Sequence, residues 1–361
     1  MPAKNCQGSR TAPLLRGLGW KQASAARRLV NWPALLVIAV CGAFAAQTVV
    51  LVGAGSSVPL PLYHRWAEEY NRRDPAIQMQ YMPMGTSEGI KQIARGVSDF
   101  GAGEVPLTDE ERASSSLVEL PVVLIGIVPI YNLPGVHSEV RFSGELLAEI
   151  YLGRVKNWND PAIAKLNPDV SLPNMPIKVV YRPGGKGTNY VFSEFLSKTS
   201  PRFREEVGRS PSPKWPIGEP AERSSDMADR VKAEAGAIGY VELQYAAKGN
   251  LQYGSVLNAT GHFIKASGKS VIAACAAVEG GAWDKFAPSL TNAPGAESYP
   301  ITSFTWIYVS SKVKDPQRTA ALLDLLKWAY ADGQRIALQE GYSELPEQLL
   351  PRVKARAAAL R

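Results

Sequence analysis

The sequence has 361 residues, more than one compact core ordinarily holds, and this length predicts two domains after processing. Hydrophobic residues make up 45% and charged residues 20%, which is typical of globular protein and excludes a disordered chain or an integral membrane protein. The net charge of +7 does not indicate a nucleic-acid partner, because residues 1–45 hold six Lys and Arg and no acid, and only +1 remains without those six.

The N-terminal segment 1–45 is predicted to be a secretory signal peptide. Its apolar stretch, residues 32–46, is shorter than the about 20 residues that a transmembrane helix needs. This stretch follows Arg27-Arg28 and contains the small-x-small pattern Ala43-Phe44-Ala45. We therefore expect cleavage after Ala45 and export to the periplasm, with a retained membrane anchor as the alternative.

The chain then alternates strands with helices, which predicts an α/β fold whose sheets are covered by helices. Three strand–turn–helix units comprise strand 48–52 with helix 59–73, strand 78–83 with a helix through Ile90 and Val97, and strand 177–181 with a helix through Val191 and Leu196. Ser57 stands where the N-cap of the first helix is expected.

Two apolar runs, 122–131 and 301–310, predict buried strands that carry the chain out of one lobe and back into it. The periodicity of residues 315–330 predicts a C-terminal helix, and the polar, Pro-rich span 205–225 is expected to be a loop.

The three turns of these units are rich in Gly, Ser and Thr, and each precedes a helix N-terminus. The first N–H groups of a helix lack partners within it and carry partial positive charge, so such turns favour an anion. Hydroxyls of Ser57, Thr86, Ser87 and Thr188 add donors, and Arg182 at the end of the third strand can bind two anion oxygens at once. Each feature alone is commonly structural, whereas the three turns together favour an oxyanion site.

Two runs of the sequence are highly specific, 158–167 (WNDPAIAKLN) and 236–242 (GAIGYVE). Further distinctive segments are 53–55, 89–93, 99–102, 128–135, 214–216 and 299–301. Together these segments resemble the periplasmic phosphate-binding proteins of phosphate ABC transporters, and the resemblance covers nearly all of the chain after residue 45.

This resemblance implies a type II, two-lobed binding-protein fold that closes over a dehydrated phosphate, works with a membrane permease and is a monomer. It places lobe 1 at 46–131 and 246–361 and lobe 2 at 132–245. Carried over by position, the ligand-binding residues are Ser57, Val58, Thr86, Glu104, Arg182, Lys186, Gly187 and Thr188. An ionised Glu104 would accept a proton from hydrogen phosphate and repel sulfate.

The sequence departs from the family pattern at four places. Glu104 replaces Asp, Lys186 replaces Ser, Glu88 replaces Gly in the second turn, and residues 219–226 replace a Gly-rich stretch near the cleft. Two readings of Lys186 follow: it pairs with Glu104 or Glu88 in the pocket, or it points to solvent and only its N–H matters.

Other functions with the same architecture are a binding protein for another oxyanion or for a phosphorylated small molecule, and an anion sensor. A phosphoesterase is disfavoured, because neither a metal-ligand spacing nor a nucleophile beside a base is found. We expect no catalytic residue, no metal and no cofactor, and we expect the lone remaining cysteine, Cys275, to be a buried packing residue.

Overall fold

The structure is a computed structural model that describes residues 48–278, 288–312 and 315–360. The predicted signal peptide, with Cys6 and Cys41, lies outside these residues. The strands are β1 Val49–Gly55, β2 Ile77–Pro83, β3 Phe100–Gly103, β4 Leu117–Tyr131, β5 Arg141–Phe142, β6 Lys178–Tyr181, β7 Glu219–Pro220, β8 Ala237–Glu242, β9 Gln252–Tyr253, β10 Ser255–Leu257, β11 Phe263–Ile264 and β12 Thr302–Ser310.

The helices are α1 Leu60–Arg73, α2 Thr86–Arg95, α3 Asp109–Ser115, α4 Gly144–Tyr151, α5 Pro161–Leu166, α6 Gly187–Thr199, α7 Pro201–Glu206, α8 Ser224–Ala233, α9 Leu243–Lys248, α10 Gly268–Ala276, α11 Pro316–Ala329, α12 Asp332–Gln339 and α13 Leu350–Ala358. Strands and helices alternate along much of the chain, which confirms the α/β prediction. Among the helices of the described ranges, none has the length and apolar character that crossing a membrane requires.

The main sheet is organised around β4. Its strand order is β2-β1-β3-β12-β4-β8-β6-β7, and β9 also pairs with β4. Residues 117–126 of β4 pair with β12, whereas residues 127–131 pair with β8. We call β1, β2, β3 and β12 the first strand group, and β6, β7 and β8 the second strand group. One buried strand therefore belongs to both groups, as the apolar run 122–131 predicted, although it starts five residues earlier.

The direction of the strands places their ends. β1 is parallel to β2 and to β3, so the carboxyl ends of these three strands lie at one edge of the first strand group. β6 is parallel to β8, so their carboxyl ends lie together in the second strand group. In α/β proteins the crevice at the carboxyl ends of the strands is where ligands bind. The exact limits of the two lobes stay a prediction.

The first unit differs from the prediction at its turn. β1 continues to Gly55, so the glycines expected in the turn belong to the strand. Helix α1 begins at Leu60 after Pro59, and the expectation that Ser57 is its N-cap is wrong. Pro59 is the residue at that position because its fixed φ suits the start of a helix. The hydroxyl of Ser57 is thereby available to the site described below.

The second helix is shorter than predicted. Gly96 adopts a left-handed conformation with φ 71° and ends α2 after Arg95, so Val97 lies outside the helix and is largely exposed. The third unit and the C-terminal helix lie within about one residue of their predicted limits. The span 205–225 is mainly loop, with the short β7 inside it, and Cys275 is buried as expected.

Candidate functional site

Arg182 is the centre of the site. It follows β6, and only 1% of the residue is exposed. Its Nη1 donates to Ser224 Oγ at 2.8 Å and to Thr188 Oγ1 at 3.5 Å. Its Nη2 donates to the carbonyl of Glu222 at 2.8 Å and to Ser57 Oγ at 3.4 Å. Nε has no hydrogen-bond partner among the described residues. The guanidinium therefore keeps one free donor and two long contacts with hydroxyls, and an incoming oxyanion can take these over.

The contact between Arg182 and Ser57 joins the two strand groups, because Ser57 follows β1 and Arg182 follows β6. Two residues fix the backbone of Arg182. Its N–H donates to Tyr240 Oη at 3.1 Å, and its carbonyl accepts from Asn189 Nδ2 at 3.0 Å. The arginine is thus held from β8 and from α6, and such support restricts it to one orientation.

Glu104, which follows β3, is the acidic residue of the cleft. It is fully buried; its Oε2 accepts from Thr86 Oγ1 at 3.3 Å, and its Oε1 accepts from Thr305 Oγ1 at 3.4 Å. Both contacts are long for hydroxyl donors, so the carboxyl group is weakly solvated by the protein.

Burial raises the pKa of Glu104 to about 8, against hydrogen bonds from Ser56 and Thr86 and the positive charge of Arg182, which lower it. The nearby carboxyl of Glu242 adds to the rise. The sequence interpretation assumed an ionised Glu104, whereas this environment favours the protonated form near neutral pH because a desolvated charge is costly.

Glu242, the last residue of β8, is a site residue that the sequence analysis did not select. It is fully buried, its Oε1 accepts from Ser224 Oγ at 3.2 Å, and its Oε2 has no partner among the described residues. Burial raises its pKa, while Arg182 lowers it. Its position at the end of a strand, the same criterion that selected Arg182, could have identified it.

The remaining predicted residues lie around these charges. Thr86 and Gly187 are the first residues of α2 and α6, and Thr188 follows in α6. The N–H of Val58 already donates to Ser56 Oγ at 3.1 Å. An anion would therefore share this amide with the serine or displace its hydroxyl.

Gly187, at the start of α6, lies close to Glu104 and Thr86. A methyl group at this position would lie 1.9 Å from Glu104 Oε2 and 2.7 Å from Thr86 Oγ1. Only glycine lets the start of α6 approach Glu104 this closely.

The second and third turns contact each other directly. The N–H of Ser87 donates to the carbonyl of Gly185 at 3.3 Å. Lys186 Nζ lies 3.1 Å from Glu222 Oε2, and its side chain is 18% exposed. The predicted pairing is wrong, because Lys186 pairs neither with Glu104 nor with Glu88. Its side chain does not extend freely into solvent either, and the alternative that only its N–H matters to the ligand stays a prediction. Glu88 instead accepts from Gln92, one helical turn along α2. Glu222 was not selected from the sequence, although it lies in the divergent segment 219–226.

The arrangement is suited to holding an anion. It combines a buried guanidinium, hydroxyls from three strand ends and the starts of two helices. In the described ranges, no group of three or more His, Cys, Asp or Glu side chains is arranged to hold a metal ion.

Comparison with known proteins identifies the superfamily and the fold. The model of the PBP superfamily domain matches residues 42–332. A phosphate-binding protein from Stenotrophomonas maltophilia has a TM-score of 0.64 at 18% identity, covering 86% of this chain and 94% of that one. An ABC-type phosphate transport receptor from Vibrio cholerae has a TM-score of 0.56 at 18% identity, covering 82% of this chain and all of that one. The chain is thus a member of the PBP superfamily with the type II, two-lobed fold, as predicted.

Sequence relatives define the family more narrowly. The phosphate-binding protein PstS of Pasteurella multocida is 36% identical over 315 residues, which cover 87% of this chain and 91% of that protein. The corresponding protein of Haemophilus influenzae is 35% identical, covering 86% of this chain and 93% of its own length. The chain belongs to the PstS family of phosphate-binding proteins, and these are solute-binding proteins of a transport system rather than an enzyme family.

Proposed function

We propose that this protein captures inorganic phosphate outside the cytoplasm and delivers it to the permease of an ABC importer. The observation that carries the proposal is the buried Arg182, which brings together hydroxyls from both strand groups. A guanidinium matches the geometry of a phosphate oxygen pair, and membership of the PstS family supports phosphate as its ligand.

Each site residue has a role in this proposal. Arg182 forks onto two oxygens, and the hydroxyls of Ser57, Thr86 and Thr188 donate to the others. The N–H groups of Val58 and Gly187 add donors near the helix starts, whereas the N–H of Lys186 already donates to the carbonyl of Pro211 at 3.1 Å. Glu104 shares one proton with the ligand, and no metal or cofactor takes part.

The wider functional assignment follows from the same proposal. The protein acts without catalysis, as a monomer, and its N-terminal segment directs it to the periplasm. The lobes, predicted at 46–131 with 246–361 and at 132–245, close on the ligand and present their rims to the permease. Nucleic acid is not a partner.

A ligand panel tests the proposal. We expect isothermal titration to give one phosphate bound per chain, with arsenate close behind because it has the same shape and protonation chemistry. Alkyl phosphonates should bind more weakly because they have one oxygen fewer. Sulfate should bind more weakly above the pKa of Glu104, about 8, because it brings no proton to the ionised carboxylate. Tighter binding of sulfate than of phosphate, or no binding of phosphate, contradicts the assignment.

Gly187→Ala should weaken phosphate binding by about 10- to 100-fold, because the added methyl group pushes α6 away from Glu104. The matched control is Gly268→Ala, at the first residue of α10, where the nearest atom to the methyl group is Ser343 Oγ at 3.7 Å. The control should bind phosphate as the wild type does. Equal affinities for both variants would show that α6 need not approach this closely.

A further inference from the structure

A cavity of about 460 Å³ adjoins the anion cleft and takes its walls from both strand groups. Its lining residues are Ser57, Pro83, Gly85, Lys186, Glu222, Arg223 and Asp226. Ser57 and Lys186 belong to the proposed site, and they form the wall that the cavity shares with it, whereas Arg223 only lines the cavity.

The side chain of Lys186 crosses this cavity. It starts at the N-cap of α6, and its Cδ would lie 3.6 Å from a methyl group placed on Gly85, which follows β2 in the other strand group. Its Nζ then ends on Glu222. The aliphatic part thus covers the junction of the second and third turns, while the ammonium group faces the cavity.

The buried charged groups of the cleft do not balance the charge of a bound dianion. The buried groups are one arginine, Arg182, and two carboxyl groups, Glu104 and Glu242. This set supplies at most one net positive charge for an entering dianion, and Lys186 is a second cation, at the N-cap of α6. A partly buried charge is screened less than an exposed one, so its effect on an anion in the cleft is appreciable.

The ion pair with Glu222 does not by itself explain the lysine. The Glu222 side chain is 70% exposed, and exposed pairs contribute little to stability. If the lysine only formed a surface ion pair, loss of either partner would leave phosphate binding unchanged. If the lysine acts on the ligand, its loss weakens phosphate binding.

From the position of Lys186 across the cavity, we propose that it closes the cleft over the bound anion and supplies a second positive charge, while Glu222 positions it. This inference rests on the proposed function. Loss of the lysine mainly accelerates dissociation, because the lysine covers the exit as well as attracting the ligand.

The test replaces Lys186 by Gln in two backgrounds, the wild type and Glu222→Gln, with inorganic phosphate as the probe. We expect Lys186→Gln to weaken phosphate binding by about tenfold in both backgrounds, mostly through a faster dissociation rate in stopped-flow fluorescence. The affinity of the lysine-free variants should also depend less on salt. Glu222→Gln alone should raise the dissociation rate by a smaller factor.

The matched control is Arg223→Gln, which removes a positive charge from the same cavity wall. Arg223 pairs with Asp226 one helical turn away and is largely exposed, so its loss should leave the dissociation rate unchanged. If Lys186→Gln leaves the phosphate dissociation rate unchanged in the Glu222→Gln background, the proposed closing role of Lys186 is wrong, even if the wild type binds phosphate tightly. An equal effect of Arg223→Gln also overturns it, since net charge alone would then account for the result. A wild type that does not bind phosphate overturns both this inference and the proposed function.

Discussion

Arg182→Met should lower phosphate affinity by about a thousandfold. The substitution removes the only buried cation among the described site residues and leaves Glu242 and Glu104 facing the anion. The hydroxyls of Ser57 and Thr188 also lose the donor that brings them together. Titration calorimetry with phosphate measures the loss, and Arg182→Lys should recover only part of it because an ammonium group cannot fork onto two oxygens.

The same substitution should destabilise the protein, since it removes the hydrogen bonds of a buried guanidinium and the positive charge that lowers the pKa of the buried Glu242. The cost is about 3–5 kcal/mol by urea unfolding. Adding Glu242→Gln should restore much of the stability without restoring binding, which separates the two effects.

Arg318→Met is the matched control for Arg182. Arg318 pairs with Asp99 and donates to the carbonyl of Val50 near the start of β1, at the other end of this strand from the site. The Arg318→Met variant should be less stable than the wild type but should bind phosphate with the same affinity. If the phosphate affinity of the Arg182→Met variant lies within tenfold of that of the wild type, the guanidinium does not have a central role in binding.

The second large effect concerns Glu104 and pH. Because the pKa of Glu104 is about 8, the carboxyl group is protonated near neutral pH and can donate a hydrogen bond to either phosphate or sulfate. As pH rises through that value the group ionises, and sulfate then meets a buried negative charge. Hydrogen phosphate brings its own proton and can share it with the carboxylate. Sulfate affinity should therefore fall by about tenfold per pH unit above about pH 8, and phosphate affinity should fall much less.

Glu104→Gln removes this selectivity, because an amide donates at every pH. We expect the ratio of phosphate to sulfate affinity to rise between about pH 7 and about pH 9 in the wild type and to stay level in the variant. Competition of sulfate against phosphate by titration calorimetry at each pH measures the ratio. A level ratio in the wild type would mean that Glu104 does not set the discrimination.

Unfolding without ligand gives an independent check. The pKa of Glu104 is raised on folding, so the folded protein holds its proton more tightly than the unfolded chain does. The stability that this group contributes is fully present below its unfolded pKa, near 4.5, and is lost as pH rises through about 8. In the Glu104→Gln variant, the free energy of unfolding should fall less over this pH window, by an amount on the order of a few kcal/mol. The pKa of Glu242 is also raised, so its ionisation lowers the stability of both proteins in the same direction.

The candidate site was predictable in part. Thr86, Arg182 and Thr188 stand immediately after strands or at helix starts, where a local pattern and the family resemblance both indicate them. Glu242 satisfied the same criterion and was missed, because an acidic residue at the end of a strand does not itself suggest an anion site. The hydroxyl of Ser57 lies beside Arg182, and its part in ligand binding stays a prediction, but its expected capping role was wrong, since Pro59 precedes the helix.

By itself, the sequence determined the alternation of strands and helices, the positions of the three Gly-, Ser- and Thr-rich segments and the family, because these depend on local periodicity and on residues close together in the chain. Only the tertiary structure decided the partner of Lys186, the protonation of Glu104 and the contact between Gly187 and Glu104. Lys186 and Glu222 are 36 positions apart and lie on different elements. The pKa of a carboxyl group depends on how completely water is excluded from it, and packing between distant segments sets that exclusion.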